Sequence, residues 1–176
     1  MGGRRMHAAH SSTDKMSVAF TREEDSEAAA ANLPDRPISP HPNLVTATGL
    51  AALDAALAEA RAAYALAQTG GEVSADRTAM ARATRDLRYY GARRASAQLT
   101  EPSGPAAVVL FGRRVMVERE DGRRQSFRIV GEDEADPTLG AISYISPLAK
   151  AVLGKAVGEM AQVGGAEVEI VAVESA

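Results

Sequence analysis

Apolar side chains recur at alternating intervals of three and four residues in two consecutive stretches of the chain. This spacing places them on one face of a helix and is typical of a coiled-coil seam. Thr69-Gly70-Gly71 separates the two stretches, because glycine ends a helix in the left-handed conformation without a steric penalty. The pattern therefore predicts an antiparallel helical hairpin over residues 44–100. The predicted seam comprises Leu50, Leu53, Leu57, Ala60, Tyr64 and Ala67, followed by Met80, Ala83, Leu87, Tyr90, Arg94 and Ala97.

The hydrophobic period changes to two after residue 107, which is typical of strands. Asp121-Gly122 predicts a hairpin turn, and Ser146-Pro147 predicts the start of one short helix. Residues 101–107, rich in proline, read as a linker. We therefore expect an α+β protein: an N-terminal helical hairpin, then an antiparallel sheet that packs one helix over residues 108–176. The predicted strands are 108–110, 114–119, 125–130, 141–145, 159–163 and 167–173.

Residues 1–43 follow neither period. Leu33–Pro42 contains four prolines, which remove backbone donors and disfavour both helix and central strand. We expect this segment to be a disordered N-terminal arm, within which Met16 could serve as a second translation start. The three histidines, His7, His10 and His41, all lie in the arm, and their spacing gives little support for a metal site.

Composition narrows the possible functions. A net charge of −3 argues against wholesale electrostatic binding of nucleic acid. The chain has no cysteine, which excludes disulfides, a thiolate nucleophile and thiolate metal ligands. No apolar stretch approaches the roughly 20 residues that span a bilayer, and the start of the chain lacks the apolar segment of a secretory signal. Gly154-Lys155 lacks the glycine spacing of a phosphate-binding loop. We expect a cytoplasmic protein without a membrane partner.

Three stretches in the second half of the chain occur in an order that is specific to one family. They are Phe127–Asp136 (FRIVGEDEAD), Ile142–Ala149 (ISYISPLA) and Leu153–Glu159 (LGKAVGE). Residues 108–174 thus resemble the C-terminal domain of the GreA/GreB transcription elongation factors, and the start of the hairpin resembles the family more weakly. The resemblance implies an FKBP-like C-terminal fold. It also implies docking at the rim of the secondary channel of bacterial RNA polymerase, into which the hairpin is inserted.

The resemblance assigns polymerase contacts to the acidic loop and to the start of the short helix. From the residues alone, the loop could equally be a solvated acidic turn, and the proline a simple helix starter. An acidic loop can also meet a basic patch on a partner and set its register. The predicted polymerase-binding residues are Asp133, Glu134, Asp136, Pro137, Ser146 and Pro147.

The second predicted helix is basic on balance. The family resemblance implies that arginines on the hairpin contact the 3′ end of the transcript, with Arg82, Arg85 and Arg88 as the candidates. The simpler alternative is a solvated helix face on which Asp86 supports Arg82 four residues away.

Cleavage factors of this family carry two acidic residues, three apart, at the hairpin tip. These carboxylates help to hold a weakly bound metal ion in the polymerase and to orient the attacking water. Here Glu72 matches the first acid and Ala75 stands in place of the second. Asp76 follows one residue later, where capping of the second helix is the simpler role. Each arm is also shorter than the family pattern by one heptad, which corresponds to about 10 Å.

These departures predict a factor that binds polymerase but does not efficiently stimulate transcript cleavage. We expect it to be no enzyme and to have no cofactor of its own, since the Mg²⁺ belongs to the polymerase active site, which Glu72 at most assists. Its expected partners are core RNA polymerase and the transcript 3′ end, with no small-molecule substrate.

Two alternatives remain open. The chain could be a genuine cleavage factor that uses Glu72 and Asp76, or a regulator of nucleotide metabolism that shares the C-terminal domain. Peptidyl-prolyl isomerase activity is disfavoured, because the domain offers only Phe111, Phe127 and Tyr144 for an aromatic pocket.

Overall fold

The computed structural model of the chain describes residues 33–69 and 74–175. Within them it shows an α+β protein, which confirms the expected fold class: a helical hairpin followed by a sheet with one short α-helix. The elements are β1 (Leu44–Val45), α1 (Ala47–Thr69), α2 (Ser74–Ser96), β2 (Gln98–Leu99), β3 (Arg114–Arg119), β4 (Arg124–Val130), a 3-10 helix (Pro137–Leu139), β5 (Ala141–Ser143), α3 (Pro147–Val152), β6 (Met160–Val163) and β7 (Ala166–Glu174).

The helices α1 and α2 pack side by side as the predicted hairpin. Each has 23 residues, and at a rise of 1.5 Å per residue each is about 34 Å long. The predicted seam is most deeply buried at Leu53, Leu57 and Ala60 of α1 and at Ala83 of α2. Arg94, a polar member of that seam, forms a salt bridge of 2.5 Å with Asp54 of α1. The three–four spacing therefore predicted the packed face of the helices correctly. The salt bridge with Asp54 accommodates Arg94, the polar residue on that face.

The base of the hairpin is closed by contacts that no local period reveals. β1 pairs in parallel with β2, with Leu44 opposite Gln98. The buried side chain of Asn43 donates hydrogen bonds to Arg93 O at 2.6 Å and to Ser96 Oγ at 3.2 Å. Both ends of the hairpin are thus tied to each other before the chain enters the linker.

Residues 33–43 differ from the expectation of a disordered arm. The Arg36 guanidinium lies 3.6 Å from the ring centroid of Tyr89 and 3.6 Å from the Asp86 carboxylate. Asp35 forms a salt bridge of 3.2 Å with Arg88. The prolines keep this segment extended, and the extended chain lies along α2. His7, His10 and Met16 fall outside the described residues.

The sheet has the strand order β5-β4-β3-β7-β6. All its pairs are antiparallel except β4 with β5, which is parallel. The expectation of a wholly antiparallel sheet was wrong at this pair, because residues 131–140 cross back before β5 begins. Residues 108–110 form a single bridge, Val108 to Ala156, in place of the predicted strand. The core lies between the sheet and α3, and includes Val115, Val117, Ile129, Ile142, Ala149, Val152, Val168 and Ile170.

A buried arginine fastens the linker to the sheet domain. Arg113 is 5% exposed and donates to two linker carbonyls, those of Gly104 at 2.9 Å and Pro105, and to the carbonyl of Val108 at 2.8 Å just after the linker. These bonds satisfy the two terminal nitrogens of the buried cation and offset the cost of its burial, whereas its Nε has no hydrogen-bond partner among the described residues. The linker is therefore held against the domain by a side chain at the start of β3.

Within residues 33–69 and 74–175, none of the helices combines the length and apolar character needed to cross a bilayer.

Truncation of a seam residue should destabilise the hairpin. Leu57→Ala is expected to lower the free energy of unfolding by about 2–4 kcal/mol, because Leu57 is buried in the seam and its loss leaves a cavity. Leu139→Ala makes the same chemical change at a side chain that is 78% exposed, and should cost less than about 0.5 kcal/mol. Equilibrium denaturation of both variants measures the difference, and equal costs would contradict the assigned seam.

Candidate functional site

The acidic loop after β4 joins the sheet domain to the hairpin. Glu134 lies at the start of α1, where its carboxylate accepts hydrogen bonds from Thr46 N at 2.9 Å and from Thr46 Oγ1 at 2.5 Å. Thr46 Oγ1 in turn accepts from Gly49 N at 3.1 Å. Thr46 is thus the N-cap of α1, and Glu134 brings a negative charge to the positive end of the helix dipole. We call this cluster, together with the Asp133 contacts below, the hairpin joint.

Two glycines make the close approach of Glu134 possible. A Cβ added to Gly49 would lie 2.0 Å from Glu134 Cδ, and one added to Gly131 would lie 2.4 Å from Leu44 O. Neither distance is sterically allowed for real atoms. The joint therefore requires glycine on both sides: in the first turn of α1 and in the acidic loop.

The second half of the joint is an ion pair whose arginine is buried. Arg93 of α2 is 2% exposed, and its Nε donates to Asp133 Oδ2 at 2.5 Å. Its Nη2 lies 3.9 Å from Glu132 Oε2. Tyr89, one turn earlier on the same helix face, donates its hydroxyl to Asp133 Oδ1 at 2.5 Å. A buried charge is stable only when paired, so Asp133 holds α2 as Glu134 holds α1.

The environment of Tyr89 changes its ionisation. Burial, together with the hydrogen bond to the Asp133 carboxylate, raises the pKa of the Tyr89 phenol to about 12. A protonated phenol is required to donate to a carboxylate. Tyr89 is therefore a dependable donor in the joint throughout the neutral range.

The residues predicted to contact polymerase mostly have structural partners within the chain. Asp133 and Glu134 are engaged by the hairpin, as described above. Asp136 caps the 3-10 helix by accepting from Thr138 N at 2.9 Å, and the hydrogen bonds from Thr138 lower the pKa of Asp136. Ser146 Oγ accepts from Ala149 N at 3.3 Å and so caps α3. Their contact with polymerase stays a prediction, to which these internal roles are now added.

Pro137 and Pro147 occupy the first turns of the 3-10 helix and α3, and both are exposed. Asp133 is exposed as a residue too, but its side chain is only 17% exposed because it is bonded to α2.

The three arginines proposed for RNA contact differ in their surroundings. Arg82 is exposed and, within residues 33–69 and 74–175, takes part in no salt bridge. Arg88 is 67% exposed and pairs with Asp35. Arg85 has Asp86 3.5 Å from its Nε. The expected support of Arg82 by Asp86 is wrong, because the Asp86 carboxylate turns to Arg85 and Arg36 instead.

The candidate tip acids cannot be placed in the same way. Glu72 lies outside the described residues, and although Asp76 falls in the first turn of α2, its side chain lies outside them too. Elsewhere in the described ranges, no group of three histidine or acidic side chains is arranged to hold a metal ion.

Comparison with known proteins identifies relatives of the sheet domain. Residues 104–175 match the family model described as transcription elongation factor GreA/GreB, C-terminal. GreA of Bacillus subtilis is 48% identical over 65 residues, which cover 36% of this chain and 41% of GreA. GreB of Neisseria meningitidis is 36% identical over 96 residues, which cover 51% of this chain and 59% of GreB. The chain thus spans about half the length of these curated relatives.

A solved structure, the GreA factor homolog 1 (Gfh1) of Thermus thermophilus, is similar to a larger share of the chain. It covers 77% of this chain and 100% of its own, at 24% identity and a TM-score of 0.36.

Two glycine substitutions should have opposite effects on stability. Gly91→Ala in α2 places its Cβ in open space, and should stabilise the helix by about 0.5–1 kcal/mol. Gly49→Ala should instead destabilise by about 1–2 kcal/mol, since its Cβ displaces Glu134 from the cap of α1. Denaturant unfolding of the two variants tests this, and stabilisation by both would show that Glu134 is not held against Gly49.

The Tyr89 hydrogen bond should stabilise the protein up to high pH. The pKa of Tyr89 rises from 10.0 to about 12 on folding, so folding favours the protonated phenol. The stabilisation is full below pH 10 and is lost as pH rises towards 12. At neutral pH, the free energy of unfolding of the wild type should exceed that of Tyr89→Phe by about 1 kcal/mol. This difference should shrink between pH 10 and 12. A difference that is constant across that range in denaturation experiments would be contrary to the assigned contact.

Proposed function

We propose that this chain, whose residues 104–175 match the C-terminal family model of the GreA/GreB transcription elongation factors, binds core RNA polymerase at the secondary channel and regulates elongation in the bacterial cytoplasm. The observation that carries the proposal is the family match of the sheet domain, joined to a helical hairpin of the kind the family inserts into that channel. The protein would act on the polymerase's own active site, where the Mg²⁺ belongs to the polymerase.

The hairpin joint supports this function mechanically. A factor that acts at the far end of a channel must hold its arm in one direction relative to the docking domain, since small misplacements are costly in positioned chemistry. Glu134 is hydrogen-bonded to Thr46 at the start of α1, and Asp133 is hydrogen-bonded to Arg93 near the end of α2. Both helices are thus fixed at the same loop of the docking domain.

The tip supports regulation without efficient cleavage. Glu72 supplies one carboxylate, whereas Ala75 has no oxygen to offer to a weakly held metal ion. Asp76 lies in the first turn of α2, where an acidic residue favours the helix N-terminus. With arms of 23 residues, the tip of this factor would occupy the channel without completing the catalytic site.

Contact with the transcript would come from the second helix. Arg82 is exposed and Arg88 is 67% exposed, so both can approach a phosphate group. Docking on the polymerase rim would use the acidic loop and the start of α3. Pro137 and Pro147 are exposed members of that set that take no part in the hairpin joint, and substitutions there would test docking without loosening the joint.

One observation favours a second candidate function. Glu72 and Asp76 are four residues apart, a spacing that places side chains on one face when helical. A cleavage factor that uses these two acids as its pair would then replace the non-cleaving regulator proposed above.

Backtracked polymerase complexes distinguish the two candidates. Saturation with the wild-type protein should leave transcript cleavage near the rate seen without a factor, and should inhibit cleavage by an added GreA because the channel is occupied. Ala75→Glu restores the family spacing of the two acids and is the matched gain-of-function variant. We expect it to raise cleavage above that of wild type, as measured by release of the 3′ RNA fragment.

Rapid cleavage by the wild type that is lost in Glu72→Ala and Asp76→Ala would overturn the non-cleaving proposal and identify those acids as the pair. Failure of the full chain to bind core polymerase at micromolar concentration would overturn the family-based function altogether, and would leave a regulator of nucleotide metabolism as the remaining alternative.

A further inference from the structure

An apolar groove runs along the hairpin between α1 and α2. Its volume is about 660 Å³, and its lining includes the exposed Leu66 and the charged residues Arg82 and Asp86. Small side chains leave the space between the helices unfilled. These are Ala56, Ala60, Ala63, Ala67, Ala79 and Ala83.

The N-terminal arm leads directly to this groove. Asn43 is bonded to Arg93 O near the end of α2, whereas Arg36 contacts Asp86 and lies 5.0 Å from the ring centroid of Tyr90. From Asn43 back to Arg36, the arm therefore runs along α2 in the direction of the hairpin tip. Asp86 and Tyr90 also line the groove, so the side chain of Arg36 lies at the edge of the groove, while Asp35 beside it contacts Arg88.

The preceding sequence complements the α2 side of the groove in charge and the alanines of the groove in polarity; the lining also includes the acids Glu59 and Asp86, of which Asp86 is paired with Arg36. Val18-Ala19-Phe20 is apolar, and it is followed by four acidic residues, Glu23, Glu24, Asp25 and Glu27. The part of α2 that lies beyond Asp86 towards the tip carries Arg77, Arg82 and Arg85 against one acid, Asp76. Opposite charges on facing surfaces select the partner and its register.

The chain between the acidic residues and the described part of the arm is long enough to reach along the groove. Glu27 and Leu33 are six positions apart in the sequence, a length of chain that spans up to about 20 Å when extended. Along α2, the groove from Asp86 to Ala79 covers seven residues, or about 10 Å.

We infer that residues 18–27 of this chain dock in the groove, with their acidic side chains against Arg82 and Arg85 and their apolar residues on the alanine floor. The arm then covers the arginines that are proposed to meet the transcript, and competes with any phosphate for them. This intramolecular contact goes beyond the proposed function and does not require polymerase.

Engineered cysteines test the contact in the full chain, which has no cysteine of its own. The test pair is Glu24→Cys with Ala79→Cys, which lies in the groove. The control pair is Glu24→Cys with Ala65→Cys, an equally exposed alanine near the end of α1 that is not part of the lining. With a short bis-maleimide, the test pair should crosslink within one chain at least about fivefold faster, because docking raises the local concentration.

Equal rates in the two pairs would overturn the inference. Covalent dimers as the main product would overturn it too, and would assign the groove to a second copy of the chain. Adding Glu23→Gln, Asp25→Asn and Glu27→Gln to the test pair should slow its crosslinking towards the control rate. An unchanged rate would overturn the pairing of these acids with the arginines.

Discussion

The carboxylate of Glu134 at the N-terminus of α1 is the contact on which the mutual placement of hairpin and sheet domain depends. It accepts hydrogen bonds from the backbone N–H and the hydroxyl of the cap residue Thr46. The position of the sheet domain therefore determines where the helix begins. Thr46 alone would cap α1 wherever the hairpin pointed. Because Glu134 lies on a loop 88 residues later in the sequence, its hydrogen bond ties the start of the helix to the sheet domain. Asp133 extends the same constraint to α2 through Arg93.

The periodicity of hydrophobic residues predicted the helices and strands well. It could not predict contacts between residues that are far apart in the sequence. Leu53 and Leu57 follow a spacing that any helix of this seam would share, so their burial was foreseeable. Arg93 stands off the seam, and its burial depends on an aspartate 40 residues away that no local pattern connects to it. The parallel pairing of β4 with β5 could not be predicted for the same reason. The residue types in 131–140 indicate turns, but they do not determine the direction in which the chain returns to the sheet.

The acidic loop illustrates how a motif can have two roles. The family resemblance assigned Asp133 and Glu134 to a partner, because acidic loops on a surface commonly meet basic patches. In the folded chain both carboxylates face the hairpin, and the conformation of the loop is set by Gly131 against Leu44. Any polymerase contact made by this loop would therefore be coupled to the placement of the hairpin. The signal that could have revealed this was the unusual glycine at position 49, in the first turn of an otherwise alanine-rich helix.

The linker attachment through Arg113 determines where the chain can be lengthened. The guanidinium contacts the carbonyls of Gly104, Pro105 and Val108 at once, so an insertion in this segment would move an acceptor away and leave a buried cation unsatisfied. The turn at Asp121-Gly122 is exposed; Gly122 adopts a φ of +78°, and a Cβ added there would meet no atom within 4 Å. A peptide epitope or a fluorophore-bearing loop therefore belongs at that turn, even though the proline-rich linker looks the more permissive site.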